Sequence, residues 1–387
     1  MKIALIEPYL VDYTGHYYNF VTELRRGINE IDSNDVVDVF VPKKCTLDDS
    51  FIRILPAVSD LITGNFAERF LKSVTFFVEF YKILRTIEND YDIVVFTTAD
   101  GFRLLLLLLN ISFKKPVFLY SHMFFSEKKQ KLILKLSRPR KDCVYFLSPL
   151  SRRSENASLI ETLQRKRFNL ILDAPCPFNY VKNSKISQSF DSGFCISYLG
   201  SARKEKGFVE TVEFIRFCER NKLDYEFILQ CSGAYEPEVK EYISIIKNGH
   251  FAGVKLIEQS LPQPEYEKTL QESSVLLLLY DPSRYSWSIS GILLEAFSMS
   301  KPVIVRSGTW LADQVQKYGG GIVISELNPE SIKTAIEKIR FNYEKFSVEA
   351  FEAGKELYKK HNGKELAYLI KSSVGVCASQ NINEGEL

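Results

Sequence analysis

The sequence predicts an α/β protein made of two doubly wound, Rossmann-like domains, each a parallel sheet with helices on both faces. Three observations carry this. Apolar runs of five to eight residues alternate with stretches of helical period along the whole chain, the pattern of strands buried on both faces. At 387 residues the chain exceeds the roughly 100–200 residues of one ordinary domain. Between two alternating halves lies 178–193, rich in Asn, Ser and Lys, which reads as a linker.

In the first half, strands are expected at 2–8, 36–42, 92–98, 116–122, 143–149 and 169–175, because each is a β-branched or aromatic run closed by a polar residue or Pro. Helical spacing places helices at 15–30, 69–88 and 130–138. In the second half the strands fall at 194–200, 225–231, 253–259, 275–281, 302–307 and 321–326. Helices are expected at 207–221, 237–248, 264–273, 291–300, 310–318 and 329–345, then one long helix at 348–371. The polar stretch 379–387 is expected to fray. The domains are thus 1–177 and 194–360, with 361–387 a helix returning to the first domain. Doubly wound sheets bind ligands at their strand C-terminal ends. Two such rows of ends are expected to face one cleft, so the function belongs in the loops after the strands.

Bulk properties exclude several classes. Net charge is only +2, which gives a nucleic-acid coat no support. The seven cysteines, at 45, 143, 176, 195, 218, 231 and 377, are odd in number and form no CxxC or Cys/His cluster. That argues for a reducing cytoplasm and against a disulfide framework or structural zinc. The longest greasy run, Leu104 to Leu109, is far short of the roughly 20 residues that span a bilayer. The start meets Glu7 and Pro8 too early for a signal peptide.

Two segments of the second half carry chemistry. In the first, Tyr198 to Phe208, a strand ends at Gly200, a cationic loop follows with Ser201, Arg203 and Lys206, and a helix begins near Gly207. A glycine lets backbone approach a ligand, and a helix start flanked by cations suits a diphosphate; the bland reading is a solvated loop. In the second segment, Tyr280 to Val303, a polar loop bearing Asp281 and Arg284 leads to a helix that opens with Ser290, Gly291 and Ile292. Its first amides suit phosphate oxygens. Glu295 sits one turn inside, between Leu294 and Ala296. A carboxylate there needs a partner, and either a ribose diol or a structural cation would serve.

Together the segments resemble the retaining family-4 glycosyltransferases of the GT-B fold. That family has a Gly-Arg-x-x-x-x-Lys-Gly stretch after the first strand of its C-terminal domain. About ninety residues on it has Glu-x7-Glu, ending in Leu-Glu-Ala before a small residue and Pro-Val. The counterparts here are Gly200 with Glu205, Lys206 and Gly207, then Leu294, Glu295 and Ala296 with Lys301, Pro302 and Val303. The resemblance covers about 195–330. It implies that Lys206 holds the donor diphosphate, that Glu295 holds the ribose hydroxyls, and that Ser290 and Gly291 offer amides to the phosphates. The sequence departs from the family twice. Ser201 stands where the family has arginine, with Arg203 as the substitute, and Trp287 replaces the first glutamate of the pair.

In the first half, Gly15 and the helix start after it fit the family's Gly-rich turn, which opens a helix toward the cleft, or else Gly15 is a simple helix-entry glycine; His16 follows it and is expected to face the acceptor or the leaving phosphate. His122 ends the strand at 116–122; the resemblance implies a place by the donor sugar, where the family often has a strand-end histidine, and the bland reading is a satisfied structural histidine, while Ser148 has a similar place after the next strand. From Arg103 to Arg167 there are fifteen Lys or Arg against four Asp or Glu. Within it, 128–141 interleaves Lys and Arg with Leu132, Ile133, Leu134 and Leu136. This is the pattern of a helix lying on an anionic membrane surface, or else of a solvated helix face.

The resulting expectation is a hexosyltransferase-like enzyme, cytoplasmic or peripheral on the membrane's inner face. It would move a sugar from a UDP- or GDP-linked donor to the hydroxyl of a glycan or lipid-linked acceptor, in cell-surface polysaccharide or glycolipid synthesis. Retention follows from the resemblance. None of these motifs suggests a metal, so metal-independent stabilisation of the leaving group is expected, by Lys206, Arg203 and helix amides. No nucleic acid and no cofactor beyond the donor are implied. A sugar-nucleotide epimerase of the same architecture is one alternative. Another is a degenerate transferase acting as a scaffold, for which Trp287 is the best support.

Overall fold

The computed structural model describes residues 1–13, 16–48, 50–58, 65–100, 102–122, 132, 135–136, 144–149, 164, 169–180, 193–233, 236–249, 251, 253–286 and 288–383, with side chains except at 66, 67, 69, 70, 102, 103 and 375–383. Its contacts form two compact units: unit 1 is Met1–Pro177 with His361–Leu387, and unit 2 is Phe178–Lys360.

Unit 1 holds strands β1 (Lys2–Ile6), β2 (Val36–Pro42), β3 (Ile52–Leu55), β4 (Ile93–Phe96), β5 (Val117–Tyr120), β6 (Val144–Leu147) and β7 (Asn169–Ile171). They make one parallel sheet in the order β3-β2-β1-β4-β5-β6-β7. Strands β4 and β5 are buried at every position, which is why they read as continuous apolar runs rather than alternating ones. Helices α1 (Tyr17–Ile31), α2 (Phe66–Asp90) and α3 (Phe102–Leu108) flank the sheet. Phe76, Phe80 and Leu84 of α2, with Leu104 and Leu108 of α3, pack on one face. Phe20, Leu24 and Ile28 of α1 pack on the other, together with Leu366, Ala367 and Ile370 of the C-terminal helix (Gly363–Asn383).

The C-terminal helix can lie on α1 because two glycines meet there. A Cβ at Gly363 would stand 1.8 Å from the Glu23 carbonyl oxygen, and one at Gly27 would stand 2.1 Å from the Gly363 carbonyl carbon. Asn362 caps this helix by accepting the Glu365 N–H at 2.9 Å. Further along, Lys371 and the N-terminal ammonium share the buried Asp35 carboxylate.

Unit 2 holds β8 (Cys195–Tyr198), β9 (Glu226–Gln230), β10 (Val254–Ile257), β11 (Val275–Leu278), β12 (Val303–Arg306) and β13 (Gly321–Ile324), a parallel sheet in the order β10-β9-β8-β11-β12-β13. Its helices are α4 (Phe208–Arg220), α5 (Pro237–Gly249), α6 (Gln263–Glu272), α7 (Pro282–Tyr285), α8 (Gly291–Ser298), α9 (Trp310–Tyr318), α10 (Pro329–Phe341) and α11 (Tyr343–Lys360). Phe208, Val212 and Ile215 join Ile332 and Ile336 on one face of the sheet. Leu294 and Phe297 join Ala350, Ala353 and Leu357 on the other.

Some expectations need correction. Strand β3 and helices α3 and α7 were not expected from the sequence. The helix expected at 329–345 ends at Phe341, and the single helix expected at 348–371 is two helices, broken at His361 and Asn362. His361 leaves the helix to accept the Cys176 N–H at 3.1 Å, and Asn362 starts the next helix as its cap. The stretch expected to fray from 379 is helical to Asn383. Most of 128–141 and of the linker 178–193 lies outside the described residues. Among those described, no helix is long and apolar enough to cross a membrane. Cys45, Cys176, Cys195, Cys218 and Cys231 are free thiols.

Candidate functional site

In unit 2 the chain leaves β8 toward β9 and leaves β11 toward β12, so the strand order reverses between two adjacent strands. A doubly wound sheet binds its ligand at this point. After β8 the chain turns at Gly200, with φ of +100°. A Cβ there would stand 2.8 Å from Ile292 Cδ1 and 4.0 Å from Lys206 Nζ. The Gly200 N–H donates to Gln230 Oε1 at 2.8 Å, and Gln230 Nε2 donates to the Gln259 carbonyl at 3.3 Å. These bonds tie the loop to the ends of β9 and β10. A 3-10 turn, Lys204–Lys206, follows and ends at Gly207 with φ of +77°. A Cβ at Gly207 would stand 2.6 Å from the Leu279 carbonyl oxygen, so only glycine permits this approach. The Asp281 N–H donates to the Glu205 carbonyl at 2.8 Å and joins the two loops.

Lys206 therefore lies over the end of β11. Its Nζ is 5.6 Å from the centre of the Tyr280 ring. Burial pushes its pKa down to about 8, the Arg203 charge pushes the same way, and Glu205 opposes them in part. An anion beside Nζ would reverse both effects. Arg203 itself is exposed, 3.8 Å from Glu205 Oε1.

The start of α8 completes the neighbourhood. Ser290 caps it, its Oγ accepting the Leu293 N–H at 3.4 Å. Gly291 has no neighbour within 4 Å of the place a Cβ would take. The backbone there is open. Ile292 packs against Gly200. Glu295 accepts from the Tyr266 hydroxyl at 2.8 Å. Burial, reinforced by that carboxylate, holds the phenol well above its ordinary pKa. The Tyr285 ring lies tilted against Tyr280, their centres 4.6 Å apart, and burial pushes its phenol up to about 12.

The structure thus brings Gly200, Lys206, Ser290, Gly291 and Ile292 together, with Glu295 one turn behind. Ser201 pairs with Ser232 in an isolated bridge, and its carbonyl accepts from Tyr198 Oη at 3.1 Å. Asp281 caps α7 through the Ser283 N–H at 2.9 Å. Arg284 is exposed on α7. Trp287 lies outside the described residues. The sequence reading did not single out Gln230, Tyr266, Tyr280 or Tyr285. Tyr280 and Tyr285 lay inside a quoted motif, but Gln230 and Tyr266 meet their partners 29 or more residues away, and no local pattern announces them.

Unit 1 has its own reversal, between β1 and β4, with different chemistry. The Glu7 carboxyl is fully buried. Its Oε2 meets the hydroxyls of Thr97 at 2.8 Å and Thr98 at 2.6 Å, and its Oε1 accepts the Tyr9 N–H at 3.0 Å. Burial outweighs these bonds and raises its pKa to about 8. Asp100 accepts from Ser121 Oγ at 2.7 Å and the His122 N–H at 2.9 Å. His122 Nε2 lies 3.2 Å from the Thr97 carbonyl, and burial lowers the ring's pKa to about 4, against that bond. At neutral pH it is a neutral imidazole that donates from Nε2. The exposed His16 ring stands 4.5 Å from it. Ser148 is buried, with its Oγ 3.3 Å from the Ser121 carbonyl. Gly15 lies outside the described residues. Among those described, no three His, Cys, Asp or Glu group to hold a metal ion.

No family model matches the chain, and no curated protein sequence matches it. Solved structures do. A sucrose-phosphate synthase from Thermosynechococcus elongatus superposes with a TM-score of 0.65 at 16% identity, covering 99% of each chain. Anabaena HepE, solved in complex with UDP, gives 0.63 at 13% identity over 97% of this chain and all of its own. WaaG, a glycosyltransferase involved in lipopolysaccharide biosynthesis, gives 0.61 at 12% identity, over 97% of this chain and 99% of its own. The chain has the GT-B fold. A GT-B protein carries two Rossmann-like units, and both sheet orders here are of that kind.

Proposed function

We propose that this GT-B protein is a glycosyltransferase that takes a sugar from a nucleoside diphosphate and gives it to a hydroxyl. The carrying observation is Lys206. Its ammonium is desolvated and repelled by Arg203, and it lies beside the space left by Gly200 at a sheet's reversal point. A diphosphate would relieve both penalties, and the open backbone at Gly291 offers it amides at a helix start. The neighbours lend support: HepE was solved with UDP, with UDP-glucose, and with UDP and glucose.

In this reading Lys206, Gly200, Ser290, Gly291 and Ile292 hold the diphosphate, Arg203 and Ser201 flank it, and Glu295 holds the ribose. Asp281 and Arg284 border the donor. In unit 1, Gly15, His16 and the neutral His122 are assigned to the reaction. The bond from the sugar C1 to the diphosphate oxygen breaks, and the acceptor oxygen bonds to C1. The acceptor proton passes to the departing diphosphate, whose charge Lys206 stabilises without a metal. Attack from the leaving-group side retains the anomeric configuration. UDP or GDP is the leaving nucleotide, and a glycan or lipid-linked acceptor of a cell-surface polysaccharide or glycolipid pathway receives the sugar.

A thermal-shift screen against UDP, GDP, ADP, CMP and dTDP, with magnesium or EDTA, tests the reading. A ligand at 100 times its dissociation constant adds about 2.7 kcal/mol. The expected result is a shift with one diphosphate that EDTA leaves in place; no shift with any nucleotide would contradict the donor site.

A peripheral membrane contact through 128–141 is a second proposal. Leu132 and Leu136 are four positions apart in the sequence, and both are helical and exposed, as is Lys135. Pelleting with anionic but not neutral vesicles is expected, and equal pelleting with both would remove the claim.

A further inference from the structure

Helix α2 carries two apolar faces, and its own sheet uses only one. Phe76, Phe80, Leu84 and Ile87 are buried against that sheet. Leu71, Val74, Val78 and Tyr81 are 67%, 44%, 51% and 42% exposed. They follow one another at three, four and three residues, which lines them up on a helix as the a and d positions of two heptads. Arg85 continues the line four residues on, its guanidinium 4.9 Å from the centre of the Tyr81 ring. From Leu71 to Arg85 this seam runs about 21 Å. Large apolar side chains scattered singly on a surface mean little, but a contiguous row marks an interface. The polar flank beside the seam carries both signs: Glu68, Lys72, Glu79 and Lys82. Glu68 is held in place by the helix cap, its N–H donating to Asn65 Oδ1 at 3.0 Å and its Oε2 accepting the Asn65 N–H at 3.1 Å.

We infer that this seam is a self-association surface, on which α2 packs antiparallel against α2 of a second copy of the chain. A two-fold axis beside residue 76 makes the face self-complementary. Leu71 of one copy then meets Tyr81 of the other, and Val74 meets Val78, because each pair is symmetric about 76. The same axis brings Glu68 of each copy to Lys82 of the other. Both residues occupy the e position of the heptad, where charges flank a helical seam and set its partner and direction. One such ion pair forms on each side of the axis. A lipid surface fits this face less well. A helix lying on an anionic membrane is rich in Lys and Arg on its polar flank, whereas this flank alternates acid and base along its length. The inference is independent of the donor-site reading.

Sedimentation velocity of the full chain over a concentration series reads the dimer, and reversible self-association is expected. Val78→Asp would bury a carboxylate on each side of the axis and is expected to weaken the dimer at least about 100-fold. Val78 is half-exposed within one chain, so the variant's melting temperature should hold. Lys82→Glu sets like charges against Glu68 twice and is expected to weaken the dimer about fivefold to tenfold. Glu68→Lys does the same against Lys82. An equimolar mixture of those two variants restores both ion pairs in the mixed dimer and should recover wild-type affinity to within about twofold. The cap lost in Glu68→Lys stays lost in the mixture, so recovery isolates the charge pairing from folding. A wild type that remains monomeric to about 0.1 mM would overturn the inference, as would a dimer that Val78→Asp leaves intact. A monomeric wild type that pellets with anionic vesicles, and loses this in Val78→Asp, would overturn it too and give the seam to lipid.

Discussion

The two units place opposite chemistry at the same topological position. Both sheets reverse their order between the first strand and the fourth. In unit 2 that point carries a lysine whose ammonium is held near its own titration, beside a glycine and an open helix start. In unit 1 it carries Glu7, whose proton is retained to about pH 8, and a His122 ring that stays neutral down to about pH 4. At neutral pH Glu7 and His122 therefore carry no charge, while unit 2 presents a cation in want of an anion. The Thr97 hydroxyl suits a neutral Glu7: it lies 3.2 Å from the Ile6 carbonyl and can donate there while accepting a hydrogen bond from the Glu7 O–H. The fold supplies the place, and the residues at the strand ends decide what that place can hold.

The largest expected effect breaks the comparison at its cationic side. Lys206→Ala should cost nucleoside diphosphate affinity on the order of 100-fold, the scale of a desolvated charge-assisted contact. Glu7→Gln should leave that affinity within about twofold. Titration calorimetry on the two variants reads both, and similar losses would make the units' chemistry equivalent.

The pH dependence sharpens the same contrast. Free Lys206 loses its proton above about pH 8, and in the proposed donor site it is the ammonium form that a diphosphate would bind. Affinity should hold from pH 7 to 8 and then fall toward about tenfold per unit. Lys206→Arg, which keeps its charge, should flatten that fall. An affinity flat to pH 9.5 in the wild type would mean that Lys206 is not at the phosphate.

Next in size is the stability of unit 1. Glu7 has its pKa raised on folding to about 8 from 4.5. Its contribution is thus fully present below about pH 4.5 and is lost as pH rises to 8. Glu7→Gln cannot ionise. Its melting temperature relative to wild type should climb between pH 5 and 8 by on the order of 5 °C. A constant difference across that range would show that Glu7 ionises normally.

The smallest effect separates binding from folding. At Gly291 a Cβ meets nothing within 4 Å, and alanine is favoured over glycine in a helix. Gly291→Ala should keep or slightly raise the melting temperature while weakening the nucleotide roughly threefold to tenfold, by crowding the amides. Unchanged affinity would move the phosphate away from α8.

Legibility in the sequence followed burial. Strands such as β4, β5 and β11 are short, apolar and buried at every position, so a run of Val, Ile, Leu and Phe announced them. Strand β3 escaped because it sits at the sheet edge, is only partly buried and contains Arg53. Helix α3 escaped because its five consecutive leucines show no period. The break at His361 is signalled only by Asn362 and Gly363, a turn pair, inside a stretch of otherwise continuous helical spacing. In the site, Gly200, Lys206 and Gly291 were legible because their loops follow strands and open helices. Tyr266 was not: its meaning lies in Glu295, on another helix. Glu7 looked like the polar end of a strand, and its burial depends on Thr97 and Thr98, some ninety residues away.

The claim that unit 2 holds the nucleotide is tested most directly by hydrogen–deuterium exchange, with and without saturating UDP, and likewise GDP and ADP. Protection at the amides of 200–207 and 290–294, with 7–13, 97–100 and 121–122 unchanged, is the predicted result. Protection at the strand ends of unit 1 with none in unit 2 would contradict it.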